Sequence, residues 1–207
     1  MIEEQTKSPN LIAQVLRAVR RAWIPILTVA LAYLLSVGAG MLMVHRGNTF
    51  ALATRDKIVS AAQSGPILTA LDRNDRMVAA LLDSGGNLLG AVSNTLEGFG
   101  VVFPYPFIAY RGWIGGIVSA DSAHASRLAN PAEAVYYLIT LLLQLIPFTL
   151  AAGAGVNVGI ANFKPKPYYQ GETWLTLPKE ALLDMLRLYL LVVPLFLLAS
   201  LWEFLMR

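Results

Sequence analysis

Long runs of uncharged residues divide the chain and predict helices that cross a membrane. Such runs cover residues 22–44, residues 134–163 and the middle, 188–202, of a last crossing at 182–206. A membrane-spanning helix needs about 20 apolar residues to cross ~30 Å of hydrocarbon. The run at 134–163 exceeds that length, and Pro147 predicts a kink in it because proline removes a helical hydrogen bond. We therefore predict that this helix, starting at Asn130-Pro131, is the centre of a transmembrane bundle.

The segment between Asp83 and Asp121 is also nearly uncharged, and it carries only Glu97 and Arg111. Pro104-Tyr105-Pro106 interrupts it, since the residue before each proline is pushed out of the helical region. This pattern predicts two short crossings joined by a tight turn, with a re-entrant element as the alternative. The fold class is then all-α, a polytopic transmembrane helical bundle with about five crossings.

Three amphipathic or irregular segments flank these runs. Residues 1–21 predict an interfacial helix, since apolar residues recur near helical spacing while the arginines fall elsewhere. Residues 45–83 alternate in charge and predict an amphipathic extramembrane insert of two helices, broken at Gly65-Pro66. Residues 163–181 are rich in proline and aromatic residues and predict an interfacial loop. The whole chain, 1–207, is thus expected to form a single integral membrane domain.

Composition agrees with this class. The 207 residues are 56% hydrophobic and only 14% charged, and the mean hydropathy is +0.57, which is typical of an integral membrane protein. The net charge of +3 comes from basic residues beside apolar runs. We interpret these as topology signals that place the N-terminus in the cytoplasm, and we expect no nucleic acid partner.

Neither a metal site nor a cofactor is predicted. The chain has no cysteine and only two histidines, which lie far apart in sequence. A nucleophile elbow, a zinc motif and a pair of aspartates on facing helices are all missing from the sequence. We therefore expect that the protein is not an enzyme.

Four polar side chains within apolar segments are candidate functional residues: Asn94, Glu97, Arg111 and Glu203. Ionisable groups inside a membrane are costly and are often functional. A helical rise of ~1.5 Å per residue puts Glu97 and Arg111 at a similar depth on either side of the proline turn, so we expect them to pair. An alternative for Arg111 is a side chain that reaches the interface.

Small residues after Pro147 predict a helix-packing face that contains Gly153, Gly155 and Gly159. In lipid, van der Waals contact through small residues drives the association of helices. Close approach of another helix is therefore expected along this face.

Three features in order resemble the stage II sporulation protein M family of prokaryotic membrane proteins. They are the glycine-rich segment with Asn94, Gly98, Gly100, Arg111-Gly112 and Gly115-Gly116, the sequence Leu145-Ile146-Pro147 followed by Ala151 to Gly155, and the closing Ala199 to Phe204. The family's usual Pro-His-Gly and following Glu are absent, because Phe148, Thr149 and Leu150 stand there. The resemblance implies a polytopic membrane protein without known enzymatic activity, whose founding member is a scaffold.

Two functions follow as hypotheses. The first is a non-enzymatic subunit or scaffold that assembles other membrane proteins and lipids, or a homo-oligomer, in a prokaryotic cell (inner) membrane. The alternative is a transporter or channel component in which Glu97 and Arg111 line a path for a substrate or an ion.

Overall fold

Within residues 10–206, the part of the chain that the structure describes, the computed structural model is a bundle of seven α-helices. The helices are α1 (Leu11–His45), α2 (Thr49–Ala62), α3 (Pro66–Asp72), α4 (Arg76–Gly98), α5 (Pro104–Ile117), α6 (Pro131–Phe163) and α7 (Lys179–Leu205). Short 3-10 turns lie at Arg127–Ala129 and Pro167–Tyr169. Two strands, β1 (Thr173–Trp174) and β2 (Leu177–Pro178), form a small antiparallel hairpin just before α7.

Among the described residues, three helices, α1, α6 and α7, are long and apolar enough to cross a membrane. This agrees with the predicted all-α membrane class and is compatible with a membrane location. The prediction of about five crossings is not confirmed. Helix α5 has 14 residues, or ~21 Å, which is shorter than the ~30 Å of hydrocarbon.

Contacts between helix ends fix the directions of the helices in the bundle. Arg21 near the start of α1 pairs with Asp184 near the start of α7, so these helices run parallel. Ser200 near the end of α7 bonds to Asp83 near the start of α4, so α4 runs the opposite way. As a result, Asn10 and Met206 lie at opposite ends of the bundle.

Helix bounds in the N-terminal half differ from the predicted segments at two places. The interfacial helix and the first crossing form one continuous helix, α1, of 35 residues, while residues 1–9 of the predicted segment lie outside the described residues. The amphipathic insert does divide at Gly65-Pro66, between α2 and α3. Its last residues belong to a third helix, because α4 begins at Arg76, where the Asp75 side chain accepts a hydrogen bond from the Val78 backbone.

The predicted proline turn also lies elsewhere. The chain turns at residues 99–103, where Val101 has a φ of 64°, and Pro104 and Pro106 belong to the first turn of α5. Proline is tolerated there because the first helical N–H groups have no acceptor within the helix.

Helix α6 is the central helix, as its sequence predicts, and it continues through Pro147. The Asn130 side chain accepts a hydrogen bond from the Ala132 backbone at 3.1 Å and begins the helix. Its small residues allow close contact with neighbouring helices. A methyl group at Gly153 would lie 2.7 Å from the α carbon of Ile26, and one at Gly159 would lie 2.6 Å from the Phe99 carbonyl.

A polar cluster joins the loop at residues 164–178 to one end of the bundle. Asp184 is buried and pairs with Arg21 at 3.0 Å and with Arg187 at 2.6 Å. The Tyr169 hydroxyl donates to Asp184 at 3.1 Å and accepts from Asn157 at 2.7 Å. Burial raises the pKa of Tyr169, so the phenol stays neutral and serves as a hydrogen-bond link.

The opposite end of the bundle is joined to α2 by the buried Arg55. Its Nε donates to the Ala120 carbonyl at 2.9 Å, and its Nη1 donates to Asp56 at 2.7 Å. Asp56 also lies 3.0 Å from the His124 ring. Hydrogen bonds from His124 and Arg55 hold the pKa of Asp56 below its usual value, so this carboxylate is ionised at neutral pH.

The contact between α4 and α6 gives a stability prediction. A side chain at Gly155 would overlap the backbone carbonyl of Thr95, which cannot move without shifting α4. We expect Gly155→Leu to lower the free energy of unfolding by ~3 kcal/mol. Gly38→Leu is the matched control, because nothing lies within 4 Å of a Cβ atom placed there. Denaturation in detergent measures both, and equal losses would contradict this packing.

Candidate functional site

A cavity of about 930 Å³ lies between the helices and opens at the surface of the bundle. Helix α5 packs mainly on α1 and leaves a gap to α4 and α6, and this gap is the cavity. Tyr33 of α1, Glu203 of α7 and Arg127, in the 3-10 turn before α6, also line it. Its volume falls in the range of sites that bind small molecules, which is ~300–1,000 Å³.

One face of α4 supplies the polar wall of the cavity. Asn87, Gly90, Asn94 and Glu97 all line it, and their spacing of three or four residues places them on a single helical face. Asp83 continues the same spacing one turn earlier. A helix inside a bundle normally presents apolar residues to its neighbours, so this face is adapted to a polar environment.

Arg111 of α5 projects into the cavity opposite this face. Its guanidinium carbon lies 3.8 Å from the centre of the Phe148 ring, close enough for a cation–π interaction. Its Nη2 donates a hydrogen bond to the Asn87 side-chain oxygen.

Asn87 is in turn oriented by a carboxylate. Its amide nitrogen donates to Asp83 at 2.9 Å, and the Ser200 hydroxyl donates to the same carboxylate oxygen at 2.7 Å. Because the Asn87 nitrogen is used by Asp83, its oxygen faces Arg111. This fixes the position of the guanidinium in the cavity.

The predicted pairing of Glu97 with Arg111 is wrong. No ion pair joins these two residues, both of which the structure describes. A methyl group at Gly90 would lie 3.4 Å from Arg111 Nη1, and Glu97 is seven residues, or ~10 Å, farther along α4. The reason is the five-residue turn before Pro104, which shifts α5 relative to α4.

Asn94 and Glu97 both carry polar atoms without protein partners. Only 6% of Asn94 is exposed, and its side chain forms no hydrogen bond with any residue in 10–206. Glu97 Oε2 is buried and also has no partner within that range. Buried polar groups are normally hydrogen-bonded, so Glu97 Oε2 requires water or a ligand in the cavity.

Glu203 lines the cavity near its other end. The Gln144 amide approaches its carboxylate at 3.5 Å, and the Tyr136 hydroxyl donates to its backbone oxygen at 2.8 Å. All four polar candidates from the sequence therefore line one cavity. Asn87 and Gln144 were not predicted, although the spacing of polar residues from Asp83 to Glu97 is a signal that could have found Asn87.

The predicted packing glycines lie outside the cavity lining. Gly153 faces α1, while Gly155 and Gly159 face α4 and the turn after it. They hold the helices around α6 together and so support the wall that carries Asn94 and Glu97. Within residues 10–206, no group of three metal-ligating side chains is found.

Comparisons with models of protein families, with curated proteins and with solved structures found no match for this chain. The resemblance to the stage II sporulation protein M family therefore stays a hypothesis.

A double-mutant cycle tests the contacts of Arg111. Asn87→Leu and Arg111→Met each remove one partner of a buried, charged hydrogen bond. The double variant should therefore lose ~1.5–3 kcal/mol less free energy of unfolding than the sum of the losses in the two single variants. Glu97→Gln with Arg111→Met is the matched cycle, and its losses should add to within ~0.5 kcal/mol because the two side chains do not touch. Unfolding in detergent gives both values. Coupling in the second cycle but not in the first would contradict the geometry.

Proposed function

We propose that the protein is a transporter or channel component that binds a small hydrophilic solute in the cavity between α4, α5 and α6. The observation that carries this proposal is Arg111, which projects into a cavity of about 930 Å³, opposite the polar face of α4, without a carboxylate partner. Helices α4 and α5 would then complete the membrane domain beside the three apolar helices.

The energetics of membrane burial support this function over a structural role. An arginine at the centre of a membrane helix costs ~2.5–3.5 kcal/mol on insertion scales. An ion pair would reduce that cost, and here Arg111 has only an amide oxygen and an aromatic ring as partners. Water and solute in the cavity would solvate the guanidinium, together with Asn94 and Glu97.

The scaffold function has less support from the geometry. It relied on small-residue faces that dock partner proteins, but Gly153, Gly155 and Gly159 already contact α1, α4 and the following turn of this chain. Docking of membrane proteins through another surface stays a hypothesis. A prokaryotic cell membrane and a cytoplasmic N-terminus also stay predictions.

The absence of cysteine from the sequence allows a direct test by substituted-cysteine labelling. In sealed vesicles, Asn94→Cys should react with a small, hydrophilic methanethiosulfonate reagent, because the cavity holds water. Leu89→Cys is the matched control on the same helix, since Leu89 is 72% exposed on the outer surface of the bundle, where lipid excludes the reagent.

We expect labelling of Asn94→Cys to be at least about tenfold faster than labelling of Leu89→Cys. A thiol reacts as its thiolate, which forms only where water reaches it. Equal and negligible labelling of both variants in folded protein would overturn the proposed function, because a dry cavity cannot conduct a hydrophilic solute.

A further inference from the structure

We propose that Arg111 binds the acidic group of the solute, a carboxylate or a phosphate. This inference rests on the proposed function and adds the chemical class of the ligand. It follows from the contacts that Arg111 makes and from the ones that it leaves free.

The guanidinium of Arg111 has more N–H donors than its hydrogen bond to Asn87 uses. Arginine carries five N–H donors in a planar fork, and one of the Arg111 nitrogens donates to Asn87. Phe148 covers one face of the guanidinium plane, which leaves the edge of the plane for in-plane hydrogen bonds. An edge with parallel N–H groups matches the two oxygens of a carboxylate or a phosphate.

The surroundings of Arg111 hold it in this position without neutralising it by direct contact. Asp83 is the nearest acidic group in its hydrogen-bond chain, but Asn87 stands between the two side chains. Asp83 and Asn87 are thus positioning residues. A direct ion pair would have used the fork of Arg111 and left no place for an anion.

Glu97 is too far away to exclude an anion from Arg111. It lies ~10 Å along α4 from Gly90, the residue that faces Arg111. Glu97 therefore does not occupy the guanidinium edge of Arg111 and leaves that edge open to an anion.

The acidic group could belong to a free anion or to a lipid headgroup, because both have the same oxygens. Phe107 and Tyr110 line the cavity and are 56% and 59% exposed on the outer side of the bundle. The cavity therefore borders the surface that lipid would cover, and the experiment must separate these two sources.

Protection of a cysteine in the cavity tests the inference. Asn94→Cys would be labelled with a neutral methanethiosulfonate, first with chloride and then with inorganic phosphate at the same ionic strength. The protein would be held in discs of phosphatidylcholine, and a second set would contain phosphatidylglycerol. Ser60→Cys on the exposed side of α2 is the control for effects on the reagent.

We expect either phosphate or phosphatidylglycerol to slow labelling of Asn94→Cys at least threefold and to leave Ser60→Cys unchanged. Protection by inorganic phosphate identifies a free anion, and protection by phosphatidylglycerol alone identifies a lipid headgroup. Arg111→Gln should abolish the protection, while Arg111→Lys should keep part of it because the charge remains.

Rapid labelling that neither anion slows would overturn this inference and leave the proposed function intact. Protection that persists in folded Arg111→Gln protein would also overturn it, since the anion would then bind elsewhere. If no condition labels Asn94→Cys, the proposed function fails, and this inference fails with it.

Discussion

The close contact between α1 and α5 is the constraint on which the rest of this structure depends. Gly112 of α5 packs against the backbone of Tyr33, and Gly116 packs against Val37 and Gly40. Contact at this distance needs residues without side chains, because a methyl group at Gly112 would lie 2.5 Å from the Tyr33 carbonyl oxygen. Helix α5 is therefore held on α1 and cannot also close against α4 and α6.

This arrangement explains why a cavity exists in an otherwise well-packed bundle. On one side, Gly155 and Gly159 bring α4 against α6, and on the other, Gly112 and Gly116 bring α5 against α1. The space between the two helix pairs receives Arg111 from one side and the polar face of α4 from the other. The charge of Arg111 and the polar face of α4 would each be costly to bury in a membrane. In one cavity, both can contact the same water or anion.

The sequence predicts much of the fold because hydrophobic periodicity and helix caps are local signals. The uncharged runs locate α1, α6 and α7, and Asn130-Pro131 locates the start of α6. The start of α4 at Arg76 was not predicted, because the Asp75 cap lies within a segment whose charged residues alternate in sign. Polarity alone does not distinguish a solvated helix from the first turns of a helix that enters the bundle.

The candidate residues were predicted individually, but their contacts were not. The free-energy cost of burying an ionisable side chain in a membrane is enough to single out Glu97 and Arg111. The partner of Arg111, however, depends on how α5 shifts relative to α4. That shift is set by the turn at residues 99–103 and by glycine contacts with α1. Both are tertiary features. Estimating the depth of each residue from its distance to a predicted turn does not reveal them.

Water-edited solid-state NMR of the protein in lipid bilayers tests the hydrated Arg111 most directly. It measures the transfer of magnetisation from water to guanidinium nitrogens, and the signal of Arg111 is identified by its loss in Arg111→Gln. We expect Arg111 to receive magnetisation from water nearly as fast as Arg46, which is exposed beyond the end of α1. Transfer to Arg111 from lipid acyl chains alone, with none from water, would contradict the account.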